Sequence, residues 1–301
     1  MVEIYKTNLS MPNTMVISGA TGMIGSHLRK HFEHIGWRVV ALGRNELMLS
    51  PEQLSGIISG AAVVVNLAGA PLIRRWSESH KQSIYNSRIL STRKLVAAIA
   101  IAEQKPQLLI SASAVGIYNQ ECIQDEFSNQ FADDFPGKVC LDWEAEAENA
   151  SGYTRLIILR LGVVLSMEGG ALKTMLPIFR LGLGGKIGSG LQPFAWIHIA
   201  DVISSIAFFI DVKETSGVYN LVAPHLINNR KFTTALANAL HRPAWFTVPA
   251  WLLKLVFGEA SVTLTGGQKV VPMRLQKANF VFGFPTIEEA LQKLLSAAKA
   301  K

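Results

Sequence analysis

Met15-Val16-Ile17-Ser18-Gly19-Ala20-Thr21-Gly22-Met23-Ile24-Gly25 is the stretch on which the fold turns. A short apolar run stops at a glycine-rich turn, and Ile24, Leu28, Phe32 and Ile35 then recur at helical spacing. The order is strand, glycine turn, helix. Gly36 stands near the helix end, where a left-handed residue is easily accommodated, and 38–42 reads as a second strand, closing a βαβ unit. Glycines let a backbone turn sharply and approach a pyrophosphate, whose charge is stabilised by unpaired N–H groups and the positive end of the helix dipole. The glycine spacing alone is weak, but its place between strand and helix makes dinucleotide binding the expectation. The contacts are expected from Gly19, Thr21, Gly22, Met23, Ile24 and Gly25.

Outward from that unit, the second strand ends in Gly43-Arg44-Asn45, where an NAD-preferring fold usually carries an acid for the ribose hydroxyls. Arg44 offers instead a planar fork for a 2′-phosphate, which points to NADP(H), with Glu46 as the nearest competing acid. Further strands are expected over 62–67, 108–111 and 156–161, with helices over 77–103 and 140–150. Alternating strands and helices predict an α/β fold with a doubly wound parallel (Rossmann-type) sheet, holding its ligand outside the carboxyl ends of the strands.

After Leu165 glycines and prolines become frequent, which predicts a small C-terminal α/β substrate lobe. The expected division is a Rossmann domain over 14–165, to which 193–222 returns, and a lobe made of 166–192 and 223–301. Substrate would lie between the glycine-rich stretch 182–190 and the sheet edge. Trp245, Trp251, Leu252, Leu255 and Phe257 read as lobe core or pocket wall.

Composition narrows the function. The 301 residues are 49% apolar and only 17% charged, against a usual charged share of about 25%, which excludes global disorder. No apolar run approaches the roughly 18 residues of a membrane span. Residues 1–14 carry Glu3, Lys6 and Asn8 and no apolar block, so no export signal is expected, and 1–13 reads as a flexible leader or an upstream start choice, its role open. Cys122 and Cys140 are the two cysteines and form no C-x-x-C, which argues against disulfides or structural zinc and fits the cytoplasm. His27, His31 and His34 flank an apolar helix stripe and are read as a helix edge, with no metal expected. The net charge is +7, and nine of the 22 acids fall between Glu121 and Glu148. The basic residues are dispersed in ones and twos, which suits an anionic small molecule better than nucleic acid. Oligomeric state is not legible.

More motifs follow: Asn66-Leu67-Ala68-Gly69-Ala70, Arg75-Trp76-Ser77-Glu78, Ser87-Arg88, Ser111-Ala112-Ser113-Ala114-Val115-Gly116, Trp143-Glu144, Leu159-Arg160-Leu161-Gly162, Trp196-Ile197-His198-Ile199-Ala200-Asp201 and Pro272-Met273-Arg274-Leu275. With the glycine turn, they make the chain resemble an atypical extended short-chain dehydrogenase/reductase, and more narrowly the epimerase family of sugar-nucleotide-epimerase-like proteins. That resemblance implies that Asn66, Leu67, Ala68 and Gly69 line the adenosine side of the cofactor. It also implies that Ser111 or Ser113 faces the nicotinamide, against the plainer reading of strand-end capping.

The superfamily's usual catalytic pair is Tyr-x-x-x-Lys, where the lysine charge lowers the phenol's pKa. No tyrosine here is followed by lysine four residues on, and the corresponding helix reads Cys140-Leu141-Asp142-Trp143-Glu144. Ser113 and Tyr118 are therefore the catalytic candidates, with Cys140, Asp142, Glu144 and His198 as other titratable groups. Arg75, Arg160 and His198 are candidates for the substrate side, the arginines through bidentate pairing with an anion. Two functions stay open: an NADP(H)-dependent oxidoreductase or epimerase acting on an anionic small molecule, nucleotide-linked or free, and an NADP(H)-binding sensor or partner-binding protein without turnover.

Overall fold

Alternation along the first strand sends Met15 and Ile17 to one face of the sheet and Val16 to the other, and all three are fully buried. A strand covered on both faces belongs to a parallel sheet between helical layers, and the computed structural model, which describes residues 13–299, has that arrangement. In chain order its first half runs β1 (Thr14–Ser18), α1 (Met23–His34), β2 (Arg38–Leu42), α2 (Pro51–Ile58), β3 (Val63–Asn66), α3 (Glu78–Ile101), β4 (Leu108–Ala114), β5 (Ile123–Gln124), α4 (Phe135–Glu148), β6 (Arg155–Leu161) and β7 (Val163–Leu165). The second half runs α5 (Gly170–Arg180), β8 (Gly185–Ile187), β9 (Trp196–His198), α6 (Ile199–Asp211), β10 (Gly217–Leu221), α7 (Asn229–Leu240), β11 (Phe246–Val248), α8 (Ala250–Phe257), α9 (Val262–Thr265), β12 (Lys269–Val270), α10 (Met273–Lys277) and α11 (Ile287–Lys299).

Six strands form the central sheet in the order β10-β6-β4-β3-β1-β2, every pair parallel. On one face, Leu28 and Phe32 of α1 and Val202, Ile206 and Phe209 of α6 cover Met15, Ile17, Val65 and Ile110. On the other, Leu54 and Ile58 of α2 and Leu95 and Ile99 of α3 cover Val16, Val64 and Leu109. The first of these clusters runs on without a break through Leu172 and Phe179 of α5, Phe232 and Leu236 of α7 and Leu291 of α11. The C-terminal elements thus share the sheet's core.

Local chemistry sets the helix starts. Ser50 and Gln53 make a reciprocal capping box with Pro51 in the first turn of α2. Asp134 Oδ1 accepts from Gly137 N at 2.9 Å and caps α4 with Pro136 in its first turn, so that helix begins at Phe135, not at 140 as expected. The expected leader lies outside the described residues except for Asn13, whose carbonyl accepts from Arg38 N.

Two expectations about the C-terminal region need correction. The glycines of 182–190 serve backbone packing rather than a ligand: a Cβ on Gly185 would stand 2.1 Å from the Phe246 carbonyl oxygen, on the strand with which β8 pairs. Nor is the aromatic-rich segment a core. Trp245 is 89% exposed, Trp251 68% and Leu255 66%, and α8 buries none of its side chains, because it packs mainly on the single turn 258–261. No helix among the described residues is long and apolar enough to cross a membrane.

Candidate functional site

The carboxyl ends of the strands open into a cleft of about 570 Å³. Its outer end is made of main chain. Gly19 has φ +75°, and a Cβ there would meet the Leu67 carbonyl oxygen at 2.8 Å; one on Gly25 would meet the Gly19 carbonyl oxygen at 2.3 Å. Glycine is required at both positions because β1, β3 and α1 converge at backbone distance. Helix α1 then starts behind Gly22 without any side-chain cap and without an acid in its first turn, so its leading N–H groups face the cleft unclaimed by a side chain. Gly22, Met23, Ile24, Leu67 and Gly69 line this end as expected positions, whereas Thr21, Ala68 and Arg44 do not line the cleft itself.

Arg44 stands exposed just beyond β2 and forms no ion pair among the described residues. The competing acid, Glu46, is occupied: one carboxylate oxygen accepts from Gly43 N at 2.8 Å. Asn66 and Ser111 differ from their expected roles. Both are buried under the cleft floor, where Asn66 accepts from Ser18 Oγ (2.6 Å) and donates to Thr92 Oγ1 (2.7 Å), and more distantly to Ser111 Oγ (3.4 Å). Trp143 Nε1 donates to the same Thr92 oxygen, so this polar ladder ties β1, β3 and β4 to α3 and α4. Its function is to satisfy buried polar groups between parallel strands.

The inner end is made of side chains. Ser113, near the end of β4, lines the cleft beside Val115, Cys140 and Trp143. Its hydroxyl donates to Glu144 Oε1 at 2.6 Å. Behind it, Arg160 grips Glu144 in a fork, Nε to Oε1 at 2.8 Å and Nη2 to Oε2 at 2.6 Å, and its Nη1 donates to Tyr118 Oη at 2.7 Å. Tyr118 in turn reaches the Asp125 carbonyl (2.8 Å) and Asn220 Oδ1 (2.9 Å). Burial works against the Arg160 charge, yet the Glu144 carboxylate more than offsets it and raises the guanidinium's pKa. Burial likewise pushes the Tyr118 phenol up, although Arg160 opposes it.

Four expected site residues stand elsewhere or are already committed, two of them within this network. Tyr118 is fully buried and lies behind the cleft wall, so it meets no reactant; Arg160 is committed to Glu144 and Tyr118 and has no free fork for a substrate. His198 sits away from the cleft, where its Nδ1 accepts from Ala200 N at 3.0 Å to cap α6 and its ring lies 3.9 Å from that of Phe284. Burial pushes its pKa down to about 4, aided by the charges of His27 and Lys293, and its Nε2 has no hydrogen-bond partner among the described residues. Arg75 is a surface residue whose chain passes beside Gly258, outside the cleft lining.

Two cleft residues carry more than their sequence context suggested. Burial pushes the Cys140 thiol up to about 12, with Glu144 adding to the shift and Arg88 opposing it, so the sulfur stays protonated near neutrality. Arg88 projects from α3 into the cleft wall, and only its place in the stripe Ile84, Arg88, Thr92, Leu95 gave it away: a charge on a helix's buried face. The far wall comes from Val262, Thr263 and 266–268, in place of the expected 182–190.

Comparison with known proteins agrees with this architecture. Residues 15–221 match the NAD dependent epimerase/dehydratase family, and residues 248–294 match a domain of unknown function, DUF1731. An epimerase family protein of Staphylococcus haemolyticus is 34% identical over 296 residues, covering 94% of this chain and 99% of its own. The chloroplastic epimerase family protein SDR39U1 homolog of Arabidopsis thaliana is 35% identical over 301 residues, covering 94% and 86%. Among solved structures, the human epimerase family protein SDR39U1 (isoform 2) with NADPH superposes with a TM-score of 0.87 at 32% identity, covering 94% of this chain and 99% of that one.

Proposed function

The chain belongs to the NAD dependent epimerase/dehydratase family, and from that premise we propose that it is an NADP(H)-binding oxidoreductase or epimerase-like protein acting on an anionic small molecule. The observation that carries this reading is a single cleft joining the unclaimed N–H groups of α1 to the hydroxyl of Ser113 and the wall of α4. The cradle fits a dinucleotide, since α1 starts without a side-chain cap or a first-turn acid, and Gly19, Gly22 and Gly25 line that end of the cleft without side chains to hold a pyrophosphate off. The human relative was solved with NADPH, which supports the same cofactor here. Met23 and Ile24 would hold the pyrophosphate by their N–H groups, the Gly22 N–H being taken by the Gly19 carbonyl, and the unpaired Arg44 would meet a 2′-phosphate while Glu46 is tied to Gly43. Bound NADP(H) supplies a hydride donor or acceptor.

What the chain's own residues do at the reacting end follows from one proton. The Ser113 hydrogen is engaged with Glu144, so towards the cleft the oxygen presents lone pairs. It is arranged to accept from a substrate hydroxyl. Cys140 keeps its proton and is a weak donor at this wall. With no phenol and lysine at the site, turnover of generic carbonyls should be slow, since losing a positioned acid or base costs about 10²- to 10⁴-fold.

Calorimetric titration with NADPH and NADH, followed by a metabolite panel read by NADPH absorbance, tests the proposal. Ser113→Ala should lower any turnover and leave NADPH affinity nearly unchanged. Absence of NADPH binding would sink the reading. Tight NADPH binding without turnover across the panel would instead favour a sensor, a reading supported by the engagement of Ser113 with Glu144.

A further inference from the structure

Arg88 is the one lysine or arginine among the described residues that line the cleft, and it has no carboxylate partner there. Its guanidinium is held rather than free to swing out. Nη1 donates to the Ile84 carbonyl and Nη2 to the Ala70 carbonyl, both at 3.1 Å, and the Arg88 Cζ lies 5.2 Å from the Trp143 ring centroid. Two of five N–H donors are thus used on neutral carbonyls, leaving three donors and an uncompensated positive charge. A cation withdrawn from water without a counter-ion is costly, and burial lowers its pKa. Leu72, Ile84, Val139 and Trp143 give this end apolar walls beside the Ser113 hydroxyl and the Cys140 thiol. The other charged side chain of the lining, Asp134, has an oxygen committed to the α4 cap.

We infer that Arg88 is the seat of a single carboxylate on a small substrate with an apolar body. This deepens the proposed function and rests on it in one respect: the dinucleotide occupies the α1 end of the same cleft. Position separates the two anions. Helix α1 lies on the sheet face that it shares with α6, whereas α3 and α4 cover the other face, so Arg88 enters the cleft from the side opposite the pyrophosphate cradle. Charge separates the substrate classes. One guanidinium offsets one carboxylate and matches its plane, whereas a nucleotide diphosphate would bring a second negative charge into a wall that offers no second cation. Gly69 is where the two ends of the cleft meet, since it follows Leu67 at the cofactor end and a Cβ there would stand 2.9 Å from the Arg88 Cζ.

The test uses benzoate, its neutral counterpart benzamide, and inorganic phosphate, each titrated calorimetrically into the full chain with and without NADPH. Benzoate should bind about 10-fold or more tightly than benzamide, and phosphate more weakly than benzoate. Arg88→Met should abolish the preference for benzoate, and Arg88→Lys should restore part of it, while NADPH affinity changes by less than about 3-fold in both. Far-UV circular dichroism checks the fold, and if Arg88→Met fails to fold, the benzoate to benzamide ratio in Arg88→Lys decides. Equal binding of benzoate and benzamide would overturn the inference. So would a loss of NADPH affinity in the variants as large as the loss for benzoate, which would assign the guanidinium to a cofactor phosphate. If the unsubstituted protein binds no NADPH, the functional reading fails, and the titrations without NADPH still decide the role of Arg88.

Discussion

The two ends of the cleft recognise by different means. The α1 end is main chain: Gly19, Gly22 and Gly25 bring strands and helix to backbone distance and leave N–H groups facing the ligand space. The α3–α4 end is side chain: Ser113 lines the cleft and is held from behind by Glu144, Arg160 and Tyr118, through hydrogen bonds of 2.6 to 2.8 Å between separate elements. A main-chain site tolerates change in its side chains but not a Cβ. A side-chain site tolerates neither the loss of one partner nor a shift in geometry.

The largest effect should come from breaking the second kind of site. The side chains of Arg160 and Glu144 are only 6% and 10% exposed, so Glu144→Leu leaves a buried cation unpaired and should cost about 3–5 kcal/mol in urea unfolding. Replacing both partners, with Glu144→Leu and Arg160→Met, should cost less than the single change. A single-variant loss below about 1 kcal/mol would mean that water already screens the pair.

Acid unfolding sharpens the contrast, because His198, outside both ends, should set much of it. Its pKa is depressed to about 4 when folded, so its stabilising contribution is complete above 6.5 and is lost as pH falls towards 4, to the extent of about 3 kcal/mol. Asp201 runs the other way: burial raises it to about 6, so its contribution is complete below 3.8 and is lost as pH rises through 6. His198→Asn keeps an acceptor for the α6 cap and should flatten the fall in stability between pH 6.5 and 4. An unchanged slope would place the acid limb elsewhere.

At the main-chain end, Gly25→Ala puts a Cβ 2.3 Å from the Gly19 carbonyl oxygen and should weaken NADPH binding about 100-fold by calorimetry. Full affinity in that variant would show that the turn is not the cradle. The smallest effect should be Arg44→Ala, which should cost about 10-fold in the preference for NADPH over NADH. No change in that ratio would remove Arg44 from the cofactor.

These differences also explain what the sequence made legible. The strand at 38–42 was written in its short apolar run, most of the helix at 77–103 in the length of chain between two buried strands, and the glycine turn in three residues whose absence of side chain is itself the signal. Glu144 and Arg160 are 16 residues apart on α4 and β6, and nothing local says that they pair. Arg160 therefore looked like a free anion anchor. Glycine richness misled at 182–190 because it reports close backbone approach without saying what approaches; there it is Phe246, not a ligand. The wall at 262–268 was invisible since it is placed by the C-terminal chain closing over the sheet end.

The two cysteines give the cleft a clock. Cys122 is exposed, whereas Cys140 is buried in the cleft wall with its thiol held protonated. Thiolates, not thiols, attack an alkylating reagent, so exposed Cys122 should be modified first and Cys140 far more slowly, through the small fraction of thiolate at the cleft wall. With Cys122 replaced by serine, the residual labelling rate reports access to that wall. A ligand seated against α4 should slow it.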